Sequence, residues 1–152
     1  MKEINWFQLG DGSNQNSLDN LERVFGIILP EEYKEFALKY SGSYNPIRSQ
    51  FSFVDDNELI EYGNFGCLLA IDGTHSESVI GAKNDLDGQL PKYAIPIIDT
   101  GCGDLICINF NPTGGYEISY YFHERILEKS LVKISNTLFE FIDMLNEPND
   151  IY

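Results

Sequence analysis

The sequence predicts an α+β fold in which helices pack on one side of an antiparallel β-sheet. Three observations carry that prediction. Apolar residues recur with helical spacing near both ends of the chain, the period falls to two between them, and clusters of turn-forming residues separate consecutive strands. At 152 residues the chain has the length of one domain. A domain of that size buries roughly two-thirds of its unfolded surface, enough to hold a core without disulfides or metal. Residues 1–152 therefore read as a single domain, with no internal repeat or linker.

Gly10-Asp11-Gly12-Ser13-Asn14 is a loop by composition. A short helix follows from about Ser17, read as its N-cap, to Phe25, with Leu18, Leu21 and Phe25 on one face. Leu29-Pro30 opens a second helix. Pro30 suits its first position, Glu31 and Glu32 complement the positive end of the helix dipole, and Gly42 stops it. Tyr33, Phe36, Ala37 and Tyr40 form its apolar stripe. Phe51 and Phe53 then alternate with Ser52 in a strand, and 59–62 and 67–71 read as further short strands. Residues 76–86 read as a helix with Val79 and Ile80 inward.

The segments 94–98, 104–110 and 116–122 read as an antiparallel meander joined by turn-rich connections. Tyr116, Ile118, Tyr120 and Phe122 share one face of its last strand; Glu117, Ser119 and Tyr121 share the other, which is expected to be partly wet. Pro96 cannot donate to a ladder, so its strand is expected to be an edge or to bulge there. A last helix runs from Ser135, read as N-cap, to Leu145, and Pro148 ends it.

The charge is lopsided: 10 lysines and arginines against 24 acids give a formal net charge of −14. A field of that sign repels nucleic acid and anionic membrane and attracts basic partners. Three cysteines, Cys67, Cys102 and Cys107, cannot all pair within the chain, and Met1-Lys2-Glu3 leads into no apolar leader. A cytoplasmic protein with buried thiols is the expectation.

Ile97-Ile98-Asp99-Thr100-Gly101 resembles half of an aspartic protease site, but that chemistry needs a second carboxylate about 3 Å away and no second copy of the motif occurs. A tight turn is the simpler reading. Gly101-Cys102-Gly103 precedes a strand, so it does not form a dinucleotide loop. Cys102 and Cys107 lack the second ligand pair that zinc requires, and Asp85-Leu86-Asp87-Gly88 lacks the glutamate that closes a calcium loop. His75 and His123 have no nucleophile at a telling spacing. No catalytic residue, metal or cofactor is therefore expected.

Three segments in order resemble the SUKH superfamily, which includes a fungal cell-wall-assembly regulator and many bacterial immunity proteins. They are Leu29 to Phe36 with its Tyr40-Ser41-Gly42 stop, Ile95 to Ile108, and Tyr120 to Glu124 followed by Ser135 to Ile142. The resemblance spans about residues 17–146. It implies an α+β fold without enzymatic activity and, in bacteria, an immunity protein that neutralises a toxin, often a nuclease. The acidity agrees, because a nuclease must be basic to hold phosphates. The expected partner is thus a basic toxin protein whose active site is occluded; the alternative is an intracellular scaffold or regulator without a toxin partner. Candidate contacts are Asp55, Asp56, Glu58, Glu61, Asp99, Asp104 and Glu124, with Tyr62, Tyr121 and Tyr44 as exposed aromatic anchors.

Overall fold

Alternating apolar residues draw much of the chain into a seven-stranded antiparallel sheet. The computed structural model describes residues 4–148; the opening Met1-Lys2-Glu3 lies outside them. In spatial order the sheet comprises β1 (Trp6–Gln8), β2 (Tyr44–Pro46), β5 (Cys67–Leu68), β6 (Ala94–Asp99), β7 (Leu105–Phe110), β8 (Tyr116–Tyr121) and β9 (Leu131–Ser135). A separate hairpin pairs β3 (Gln50–Val54) with β4 (Ile60–Asn64). Among the described residues four α-helices accompany the sheets: α1 (Gln15–Phe25), α2 (Glu31–Tyr40), α3 (Val79–Asp85) and α4 (Leu138–Asp143). The α+β class and the antiparallel meander of β6, β7 and β8 agree with the sequence reading.

Register follows the hydrophobic pattern. Ile95 pairs with Ile108 and Ile108 with Ile118, while Ile106 pairs with Tyr120. These side chains enter one large core with Leu18 and Leu21 of α1, Tyr33 and Phe36 of α2, and Phe141 and Ile142 of α4. Successive strand residues face opposite ways, so Leu105, Cys107 and Tyr121 point to the other face. There Leu90 and Ala94 join them in a smaller buried cluster. The Lys83 ammonium of α3 bonds the carbonyls of Pro91, Lys92 and Ala94 at 3.3, 3.1 and 2.6 Å, fixing the segment that carries these residues. Tyr121 is therefore only 2% exposed. The partly wet face expected at Ser119 and Tyr121 is covered, because the stretch after α3 folds over it.

Pro96 sits in an interior strand and bulges. The β6–β7 register shifts between Pro96 and Ile98, and the β5 ladder covers only Ile98 and Asp99. Two expected caps move. Asn14, not Ser17, caps α1, its Oδ1 accepting the Ser17 N–H at 3.2 Å. Thr137, not Ser135, caps α4 by accepting the Glu140 N–H at 3.1 Å. Glu32 of α2 has more than a dipole role: its Oε1 accepts the Tyr116 hydroxyl at 2.6 Å and the Leu138 N–H at 2.8 Å. One carboxylate thereby ties α2 to β8 and to the start of α4. Cys67 and Cys107 are buried and Cys102 is exposed, so only two of the three thiols behave as expected. Burial pushes the Cys67 and Cys107 thiols up to about 12.

Candidate protein-binding face

The β3–β4 hairpin is laid on the sheet by aromatic rings. Phe51 and Phe53 point inward, with Phe53 4.9 Å from Tyr120 and Tyr120 4.7 Å from Phe122. Gly63 stands opposite Phe51 in the ladder, and a Cβ added there would lie 2.3 Å from the Phe51 ring. Only glycine lets that ring press against the β4 backbone.

The turn of this hairpin is tightly held. Asp55 Oδ1 accepts the N–H groups of Asn57 and Leu59 at 2.8 and 3.0 Å, and the Asp55 N–H donates to the Leu59 carbonyl at 2.9 Å. Glu58 takes a left-handed conformation, φ 64°, which a non-glycine residue adopts only where the surroundings impose it. Arg125 then clamps the turn from outside. Its guanidinium lies 3.8 Å over the Phe122 ring, bonding Asp55 Oδ2 at 3.0 Å and Asp56 Oδ1 at 2.9 Å.

Asp55 and Glu61 are pushed in opposite directions. The Leu59 N–H, then the Asn57 N–H and Arg125, hold the Asp55 carboxyl below its usual range despite its burial. Burial, and next the neighbouring Asp55 carboxylate, raise Glu61. The pair thus favours one proton, on Glu61.

Asp104 works as a second clamp. Its Oδ1 lies 2.6 Å from His123 Nδ1 and accepts the His123 backbone N–H at 3.0 Å, while Oδ2 accepts the Tyr120 hydroxyl at 2.8 Å. Gly103 permits this, because a Cβ there would meet the His123 ring at 2.9 Å. Burial and the Asp104 bond push the Tyr120 hydroxyl far above its usual value. Glu61, Cys102, Asp104, Phe122, His123 and Glu124 border one open hollow beside Arg125.

The structure therefore gathers Asp55, Asp56, Glu61, Asp104 and Glu124 on one face, with Glu58 and Tyr62 on the same hairpin. It also sorts them. Asp56 and Glu124 are solvent-facing, their side chains 45% and 86% exposed, whereas the Asp55 side chain is 1% exposed and that of Asp104 15%. Asp55 and Asp104 position the face rather than present charge. Asp99 lies elsewhere, bordering a hollow with Ser76 and Asp85, and accepts the Gly101 N–H at 2.7 Å in the turn that the Asp-Thr-Gly motif forms. Tyr121 is buried and is no exposed anchor. Tyr44 is half-buried, its hydroxyl donating to Glu77. Arg125 was absent from the sequence-derived set, although it is one of only three arginines in a strongly acidic chain. That scarcity was its only signal.

The family model of the SMI1 / KNR4 family (SUKH-1) matches residues 12–144, which include the hairpin and both clamps. The chain belongs to the SUKH-1 family. It is also 26% identical, over 90% of its own length and 77% of the relative's, to the SPbeta prophage-derived uncharacterized protein YokK of Bacillus subtilis (strain 168). SUKH-1 membership supports an immunity-like or regulatory role exercised on a protein partner. Among the described residues, no helix is long and apolar enough to cross a membrane.

Proposed function

We propose that this SUKH-1 chain is an immunity protein that binds a basic toxin domain, a nuclease by charge logic, and covers its active site. The observation that carries this reading is the unbalanced acidic face. Glu58 and Glu124 are exposed there, and Asp55 and the half-exposed Asp56 share the one arginine, Arg125, so the face keeps an excess of negative charge. Further carboxylates nearby, Asp55 and Asp104, hold the backbone that presents them. A cationic surface gains from such a face in association rate and in register.

Co-expression with a candidate toxin tests the reading. Growth is expected to be restored by the native chain and lost again with Asp56→Lys, Glu58→Lys and Glu124→Lys combined. If cells die as fast with the native chain as without it, the reading fails for that toxin.

A further inference from the structure

The outward side of the β3–β4 hairpin is apolar where a half-buried hairpin is ordinarily polar. Phe51 and Phe53 enter the core, so their ladder neighbours Ser52 and Val54 face out, with Ile60 and Tyr62 beside them. Val54 pairs with Ile60 across the ladder, and Ser52 with Tyr62. Val54, Leu59, Ile60 and Tyr62 are 58%, 60%, 64% and 49% exposed. They are four of the twelve large apolar side chains exposed among the described residues, concentrated within residues 54–62. Ile126 and Leu127, also exposed, directly follow the arginine that clamps this tip.

We infer that this hairpin face is the apolar centre on which the basic partner docks, with Val54, Ile60 and Tyr62 as the centre and Asp56, Glu58 and Glu124 as the rim. The inference rests on the proposed function and adds the surface and the chemistry of what fits it. The charge pattern selects the occupant. No lysine or arginine occurs from Ser49 to Ala82, while Asp55, Asp56, Glu58 and Glu61 lie at or beside the tip. A second copy of the chain would bring acid to acid, and an anionic lipid surface would be repelled. A protein with an apolar projection ringed by lysines and arginines satisfies both parts of the surface. Rigidity is the remaining argument. The bonds made by Asp55 and the Arg125 clamp fix the exposed turn before any partner arrives, which lowers the ordering cost of binding.

The test places a photo-crosslinking p-benzoylphenylalanine at position 60 in one version of the full chain and at position 16, on α1, in another. Both are irradiated in the producing cell, and the captured proteins are sequenced and purified. Position 60 is expected to capture a net-basic protein that position 16 does not. Binding of that purified protein should weaken about tenfold or more with Val54→Ser plus Ile60→Ser. The same pair, being surface residues, should leave the circular dichroism spectrum and melting temperature unchanged. Capture at 60 of only a second copy, or of an acidic protein, overturns the inference. Capture at 16 but not at 60 overturns it while leaving the immunity reading intact. Silence at both positions overturns it too, and the co-expression rescue then decides the immunity reading separately.

Discussion

Asp55 and Asp56 are neighbours of identical chemistry with opposite duties. Asp55 turns inward, where two backbone N–H groups and Arg125 surround it; Asp56 stays half in water. Glu61, beside Asp55, feels the consequence. An acid whose pKa is raised by folding resists ionisation in the fold, so its penalty is absent below its usual 4.5 and grows as pH rises through the raised value. Glu61→Gln keeps a donor toward Asp55 and removes that penalty. It is expected to raise the melting temperature at neutral pH and to give no gain near pH ~4, where Glu61 is already protonated. Asp55 has the opposite sign. Its lowered value stabilises the turn above the usual 3.8 and that contribution is lost as pH falls through the folded value. Thermal melts of the native chain and of Glu61→Gln across this range check both signs. Which of two adjacent aspartates is buried was invisible in the sequence, because it depends on the side of the turn each occupies.

At the scale of elements, the proposed binding face depends on how the β3–β4 hairpin sits on the end of β8. Its strand character was legible, since Phe51 and Phe53 alternate with Ser52. The need for glycine at position 63 was not, because the ring that occupies the space comes from the partner strand. Gly63→Ala is expected to push Phe51 out of place and to destabilise the fold by about 1–3 kcal/mol, measured by urea denaturation. Glu32 shows the same limit. Its place in the first turn of α2 predicts dipole complementation alone, yet it also joins three elements through Tyr116 and Leu138. Glu32→Ala leaves a tyrosine hydroxyl and a helix N–H without that acceptor, and a loss of about 2–4 kcal/mol is expected in the same assay. β1, β2 and β9 escaped the sequence reading. The first two have three residues each, and β9 lies in a stretch whose apolar residues pack from the sheet edge. Segments that short acquire strand geometry from the neighbours they pair with, not from their own periodicity.

For the whole molecule, a net charge of −14 makes electrostatics a long-range property rather than a local one. Association with a basic partner is expected to slow steeply as salt rises from about 0.05 to 0.5 M, with dissociation changing less, and stopped-flow mixing separates the two rates. Composition and pattern alone determined the α+β class, the three-strand meander, the second helix that Pro30 precedes as N-cap and Gly42 follows, and the sign of the net charge. Those features follow from local periodicity and from sums over residues, which need no coordinates. Tertiary structure decided the rest. It buried Asp55 and Tyr121, set Asp104 to work as a clamp, moved Asp99 off the face, and recruited Arg125 across 70 positions of chain. Exposure and charge pairing are properties of what lies nearby in space, and the chain order does not specify those neighbours until the sheet and hairpin have closed.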